Sequence, residues 1–128
     1  MHKILITGSI NEIGLELLYR EKDIEIRYEP ELPNLEILKI IEDFHCILTR
    51  SETAISREMI DNAPNLKVIA RAAVGIGNID VEYATEKGIL VINTPGINNI
   101  SAAELAIGLL LAATRNIVTA HNQMSEFK

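Results

Sequence analysis

The architecture is written most plainly in Leu66-Lys-Val-Ile-Ala-Arg-Ala-Ala-Val-Gly-Ile-Gly-Asn-Ile-Asp80. Its first part, Lys67–Ala70, is a short apolar run with β-branched residues, the mark of a buried strand. The chain then breaks at Gly75 and Gly77 and reaches Asn78, a residue type that caps helices. Strand, glycine turn and helix start make one βα unit. Four more apolar runs repeat the pattern: Lys3–Thr7, Ile24–Tyr28, Cys46–Thr49 and Ile89–Ile92. Their starts lie roughly 20 residues apart, enough for a strand and a helix. Amphipathic stretches fill the gaps. Asn11 is expected to cap a helix burying Ile13, Leu17 and Leu18, and Asn34 one carrying Leu35, Leu38, Ile41 and Phe44. Ser56 opens a third with Met59 and Ile60, ended by Pro64; Asn78 opens a fourth, closed by Gly88.

Strands alternating with helices predict an α/β fold. It has a five-stranded parallel sheet, helices on both faces and right-handed crossovers. The expected strand order is flavodoxin-like, 2-1-3-4-5. Residues 1–100 form this domain. A long apolar helix follows over 101–128.

Composition limits the partners. The 128 residues carry a net charge of -6, which argues against nucleic acid, because phosphate binding needs clustered Lys and Arg. Aromatics are only 4%, so the core is aliphatic. A single cysteine, Cys46, forbids an intrachain disulfide and reads as a small core residue. The N-terminus has no signal-peptide pattern, and Ala102–Ala113 is shorter than the roughly 20 residues of a membrane span. A cytoplasmic domain is expected.

The loops at the carboxyl ends of the strands carry the candidate chemistry, because ligands bind there in open α/β sheets. Arg50 follows the third strand and suits a carboxylate or phosphate, although an isolated Arg also reads as a surface residue. Gly75 and Gly77 can free backbone N–H groups to face an anion, or simply form a tight turn. Asn93-Thr-Pro-Gly-Ile-Asn98 reads as an ordinary loop. Thr7-Gly-Ser-Ile-Asn-Glu-Ile-Gly14 looks like a dinucleotide loop, but Glu12 stands where a glycine is needed. It puts a carboxylate where the pyrophosphate should bind. His2 and His45 precede strands, at the wrong edge for a crevice base, and His121 lies far along the chain. No metal-ligand cluster and no nucleophile–His–acid arrangement is present.

Ser101-Ala-Ala-Glu104 has the pattern of a capping box. The helix it opens is apolar all round, and such a helix is buried on every side. One sheet covers one side only. A second domain or second subunit is therefore expected on the other, with a homodimer through the 101–120 helix.

Three segments together resemble one family: Leu66–Asp80, Ala84-Thr-Glu-Lys-Gly-Ile-Leu-Val-Ile-Asn-Thr-Pro95 and Ser101-Ala-Ala-Glu-Leu105. The chain is similar over its whole length to the N-terminal part of D-isomer-specific 2-hydroxyacid dehydrogenases, most closely the phosphoglycerate-oxidising ones of serine biosynthesis. The resemblance implies an NAD-dependent oxidoreductase acting on the CH–OH group of a small D-2-hydroxy acid. It implies that the 101–128 helix crosses to an NAD-binding Rossmann domain, and that catalytic residues come from later sequence. This chain alone would then be inactive. By the same resemblance, Arg50, Ser51, Ala73, Val74 and Gly75 contact substrate, and Val74, Asn98, Ser101 and Glu104 lie toward the cofactor. Gly77 stands where the family usually has Asp, and Ile97 where it often has Gly. The other reading of the chain is a stand-alone flavodoxin-like module that binds a small ligand or a partner.

Overall fold

The five runs become five parallel strands in the computed structural model, which describes residues 1–126. They are β1 (His2–Thr7), β2 (Ile24–Glu29), β3 (Cys46–Thr49), β4 (Val68–Arg71) and β5 (Leu90–Asn93). The order β2-β1-β3-β4-β5 is the flavodoxin-like one expected from the repeat. The apolar runs place β4 and β5 one residue too early, so Arg71 and Asn93 belong to strands.

Register explains the core. Leu5, Ile47, Ile69 and Val91 pair in one row across four strands. Successive strand residues alternate faces, so this row lies on a single face. Leu5, Ile47 and Ile69 are fully buried there. Three helices pack against them: α2 (Asn34–Ile40), α3 (Arg57–Asp61) and α4 (Val81–Glu86). They contribute Ile37, Met59, Ile60 and Ala84, while Ile41 and Phe44 come from the short 3-10 turn Ile41–Asp43 and its end. The opposite row, Leu48, Ala70 and Ile92, is less well covered, and edge-strand Leu90 is 59% exposed.

Several local expectations change. Asn11 does cap α1 (Glu12–Tyr19), its side chain accepting from the Ile13 N–H at 3.0 Å. The buried residue of α1 is Leu15, however, while Ile13 and Leu17 are exposed. The helix begins at Glu12, and its eight residues turn only one narrow face inward. Asn34 is the first residue of α2 rather than its cap; Pro33 holds the cap position, and Leu35 is exposed. Ser56 caps α3, accepting from the Met59 N–H at 3.3 Å. Asn78 does not cap α4: Asp80 does, accepting from the Tyr83 N–H at 3.0 Å. Asp80 also pairs with Arg57 at 2.7 Å, tying α4 to α3. Gly88 ends the α4 turn in a left-handed conformation, φ 74°.

The chain divides into two compact units, Met1–Pro95 and a second beginning at Gly96. The second holds α5 (Asn99–Thr114) and α6 (Ile117–Glu126), which bend by 60° at their junction. Asn116 makes the bend with φ 50°, a conformation Asn tolerates. Ser101 is not the cap of α5. The helix starts at Asn99 with Asn98 at the cap position and no side-chain cap bond, so the capping box does not form. None of the α5 residues is buried, although Leu105, Ile107, Leu109, Leu110 and Leu111 are all on it. Among the described residues no single helix is long and apolar enough to cross a membrane.

Candidate functional site

Parallel strands bring the loops after β3, β4 and β5 to one edge of the sheet. Backbone bonds continue the ladder into them: Ala72 donates to the Thr49 carbonyl at 2.8 Å and Thr94 to the Ala73 carbonyl at 3.2 Å. A parallel bridge between Ile55 and Ile79 links the first two loops further out. Asn93 closes the set, its side chain donating to the Val74 carbonyl at 2.8 Å. Arg50, Ser51, Ala73, Val74 and Gly75 therefore share one carboxyl edge.

Arg50 is exposed and donates through Nη1 to the Ser9 carbonyl at 3.1 Å. None of the ion pairs among the described residues includes it. Its guanidinium is thus held by a neutral acceptor, with no ion-pair partner among the described residues. Gly8 makes the room: φ is 86°, and a Cβ there would come within 3.0 Å of the Arg50 Cβ.

The most buried charge near this edge is one that the apolar-run reading passes over. Arg71, the last residue of β4, is 1% exposed. Its guanidinium donates to the Arg50 carbonyl, and through Nη2 to the Thr53 carbonyl at 3.0 Å. Its Nε has no partner among the described residues. Burial pulls its pKa below the ordinary value, with the Glu52 carboxylate opposing. An Arg still stays protonated. Period-2 alternation from buried Ile69 was the available signal, since it puts Arg71 on the same inward face. Asn78 completes the clamp, donating to the carbonyls of Ser51 at 2.8 Å and Thr53 at 3.2 Å. Thr53 is itself buried, its hydroxyl 3.1 Å from that of Thr7.

The amides of Val74 and Gly75 have no acceptor among the described residues. Val74 is 37% exposed, and Gly75 is exposed. Free amides and a guanidinium without an ion-pair partner are both groups that can receive an anion, and here both lie in loops at the carboxyl edge. Neither Gly75 nor Gly77 has a positive φ, and a Cβ on either would meet nothing within 4 Å. This chain by itself therefore places no steric demand for glycine there.

Asn98, Ser101 and Glu104 belong to the second unit, where all three are exposed: Asn98 precedes α5, and the others lie within its first two turns. His2 and His45 meet edge-on at the amino end of the sheet, with ring centroids 5.3 Å apart, and His45 accepts from the Lys3 N–H. Neither is at the carboxyl edge.

Residues 4–125 match the family model described as D-isomer specific 2-hydroxyacid dehydrogenase, catalytic domain. The chain belongs to this family. It is 46% identical over 117 residues to D-3-phosphoglycerate dehydrogenase of Methanocaldococcus jannaschii, covering 91% of this chain and 22% of that protein. The TT0316 protein of Thermus thermophilus superposes with a TM-score of 0.83 at 34% identity, covering 97% of this chain and 40% of that one. A NAD-dependent formate dehydrogenase from Staphylococcus aureus, solved with NAD, gives 0.76 at 29% identity, covering 98% and 41%. The chain thus spans between about a fifth and two fifths of the length of these relatives.

Relatives of this family bind NAD or NADP, but the β1–α1 turn of this chain does not fit a dinucleotide. The space above Gly8 is taken by Glu52 Oε1, 2.6 Å from where a Cβ would stand. Asn11 already satisfies the start of α1, and Glu12 adds negative charge there.

Proposed function

We propose that this chain is the substrate-side portion of a NAD-dependent oxidoreductase that acts on the CH–OH group of a small D-2-hydroxy acid, or on the matching 2-oxo acid. The observation that carries this reading is that Arg50, which joins no ion pair among the described residues, and the open Val74 and Gly75 amides all lie in loops at the carboxyl edge of the sheet. The amides suit the C1 carboxylate, and Arg50 with Ser51 suits the acid's further polar or anionic group. A phosphorylated glycerate meets that description, and a role in serine biosynthesis is consistent with it. A nicotinamide cofactor supplies the hydride chemistry when bound. The chain's own part is to bind and orient. Val74 in the first unit, and separately Asn98, Ser101 and Glu104 in the second, are assigned to contacts with the cofactor.

In this reading, residues 1–100 are the substrate domain, and the segment from 101 leads toward a separate NAD-binding domain that also supplies the general base. The absence of buried residues on α5 supports both that arrangement and a homodimer through residues 101–120; a cytoplasmic location is part of the same proposal. Two tests bear on it. The 128-residue chain mixed with NAD and D-glycerate should produce no reduced nicotinamide; steady turnover would overturn the division of labour. In the intact enzyme, Arg50→Ala should raise KM or lower kcat/KM clearly, and unchanged kinetics would remove Arg50 from the site.

A further inference from the structure

Burying a cation that makes no ion-pair contact is costly, and such a group persists only where several acceptors converge on it; the Glu52 carboxylate acts on Arg71 only through space. Arg71 is this case: it is 1% exposed, joins none of the ion pairs among the described residues, and has carbonyl acceptors only. Both acceptors lie in the loop after β3, on Arg50 and Thr53. Asn78 takes the Ser51 carbonyl of the same loop at 2.8 Å.

The peptide geometry gives this a consequence. The described chain has no cis peptide, and in a trans peptide the C=O and N–H point opposite ways. With the Arg50 carbonyl turned to Arg71, the Ser51 N–H faces away from it. With the Ser51 carbonyl turned to Asn78, the Glu52 N–H faces away likewise. Neither amide has an acceptor among the described residues. The clamp thus turns two N–H groups of the loop away from Arg71 and Asn78, and it holds the backbone from which the Arg50 side chain springs.

We propose that Arg71 is a positioning residue for anion recognition: with Asn78 it ties the 50–53 carbonyls inward, so that the Ser51 and Glu52 amides and the Arg50 guanidinium face the carboxyl edge together. This rests on the hydroxy-acid reading above for its ligand, but not for the clamp. Arg71 touches no substrate. It acts through the loop, and its long planar fork reaches two carbonyls three residues apart, which a single ammonium does less well.

The test compares the unmodified chain with Arg71→Met, Arg71→Lys and the core control Ile69→Val. Amide hydrogen exchange is followed at Thr53 and Ile55, whose N–H groups bond to the Arg50 and Asn78 carbonyls. D-glycerate is titrated against 15N-labelled chain. Arg71→Met should speed exchange at residues 51–55 beyond the control and weaken D-glycerate by roughly tenfold. Arg71→Lys should recover part of both. If Arg71→Met does not fold, Arg71→Lys carries the comparison. Loop exchange no faster than in the control overturns the proposal, and so does a loosened loop with unchanged affinity. A loosened loop in a chain that never takes D-glycerate supports the clamp and overturns the hydroxy-acid reading instead.

Discussion

Gly8→Ala tests how the first loop makes room for Arg50, and Gly88→Ala is its control. Both glycines sit in the left-handed region, φ 86° and 74°. A side chain there costs about 1–2 kcal/mol through its Cβ alone. The two sites differ in what the added methyl meets. At Gly88 nothing lies within 4 Å, so only the backbone cost remains. At Gly8 the methyl would lie 2.6 Å from Glu52 Oε1 and 3.0 Å from the Arg50 Cβ. The carboxylate is the far end of a flexible side chain and can swing away. The Arg50 Cβ is fixed to the backbone and must move with it. Overpacking of this kind costs about 1–3 kcal/mol more. Gly8→Ala should therefore melt several degrees below Gly88→Ala, taking roughly 4 °C per kcal/mol for a chain of this size. Thermal and urea unfolding followed by circular dichroism measures the gap. Amide resonances of Arg50, Ser51 and Glu52 should shift in Gly8→Ala and stay put in Gly88→Ala. Equal melting of the two variants, or an undisturbed Arg50 resonance, would refute the crowding at this loop.

Other expectations follow from the core, the α4 cap and the thiol. Ile47 is fully buried in the central row, so Ile47→Ala should lower unfolding stability by about 2–5 kcal/mol, read as a lower urea midpoint. The bond from Arg57, and then that from the Tyr83 N–H, hold the Asp80 carboxyl below the ordinary aspartate range. Its folded pKa is depressed, so its stabilisation is present above the ordinary value and is lost as pH falls through the folded one. Asp80→Asn keeps a capping oxygen, so it should melt below the unmodified chain near neutral pH and converge with it in acid. A gap independent of pH would show that the charge contributes nothing. Burial pushes the Cys46 thiol up to about 11, so iodoacetamide should label it slowly in the folded chain and quickly in urea. Equal labelling rates would contradict its burial.

The sheet was legible because its signal is repetitive. Five apolar runs at even spacing specify parallel strands and their crossovers, whichever residues fill them. Helix faces were less legible. An eight-residue helix such as α1 turns inward over one narrow arc, so a small error in its start exchanges Leu15 for Ile13. Caps failed where two candidates stood close together. Asn78 and Asp80 are both good capping residues, and the carbonyls of Ser51 and Thr53, distant in sequence, claimed Asn78. The same remoteness hid Arg71. Its partners lie 21 and 18 residues away, and only register brings them together. Arg50 and Gly75 draw notice in the sequence because they follow apolar runs at strand ends, whereas Val74 enters only through the family resemblance. The glycines at 75 and 77 read as freeing backbone N–H groups or forming a tight turn, and the backbone there has no positive φ.

Ligand recognition by this chain turns on whether the carboxyl edge of its sheet receives a 2-hydroxy carboxylate. Titrating D-glycerate into the 15N-labelled 128-residue chain measures this directly. Saturable shifts are expected at the Ser51, Val74 and Gly75 amides, weakened by Arg50→Ala. Shifts confined to other surfaces, or none at the three amides up to high concentration, would contradict the assignment of that edge as the acid's site.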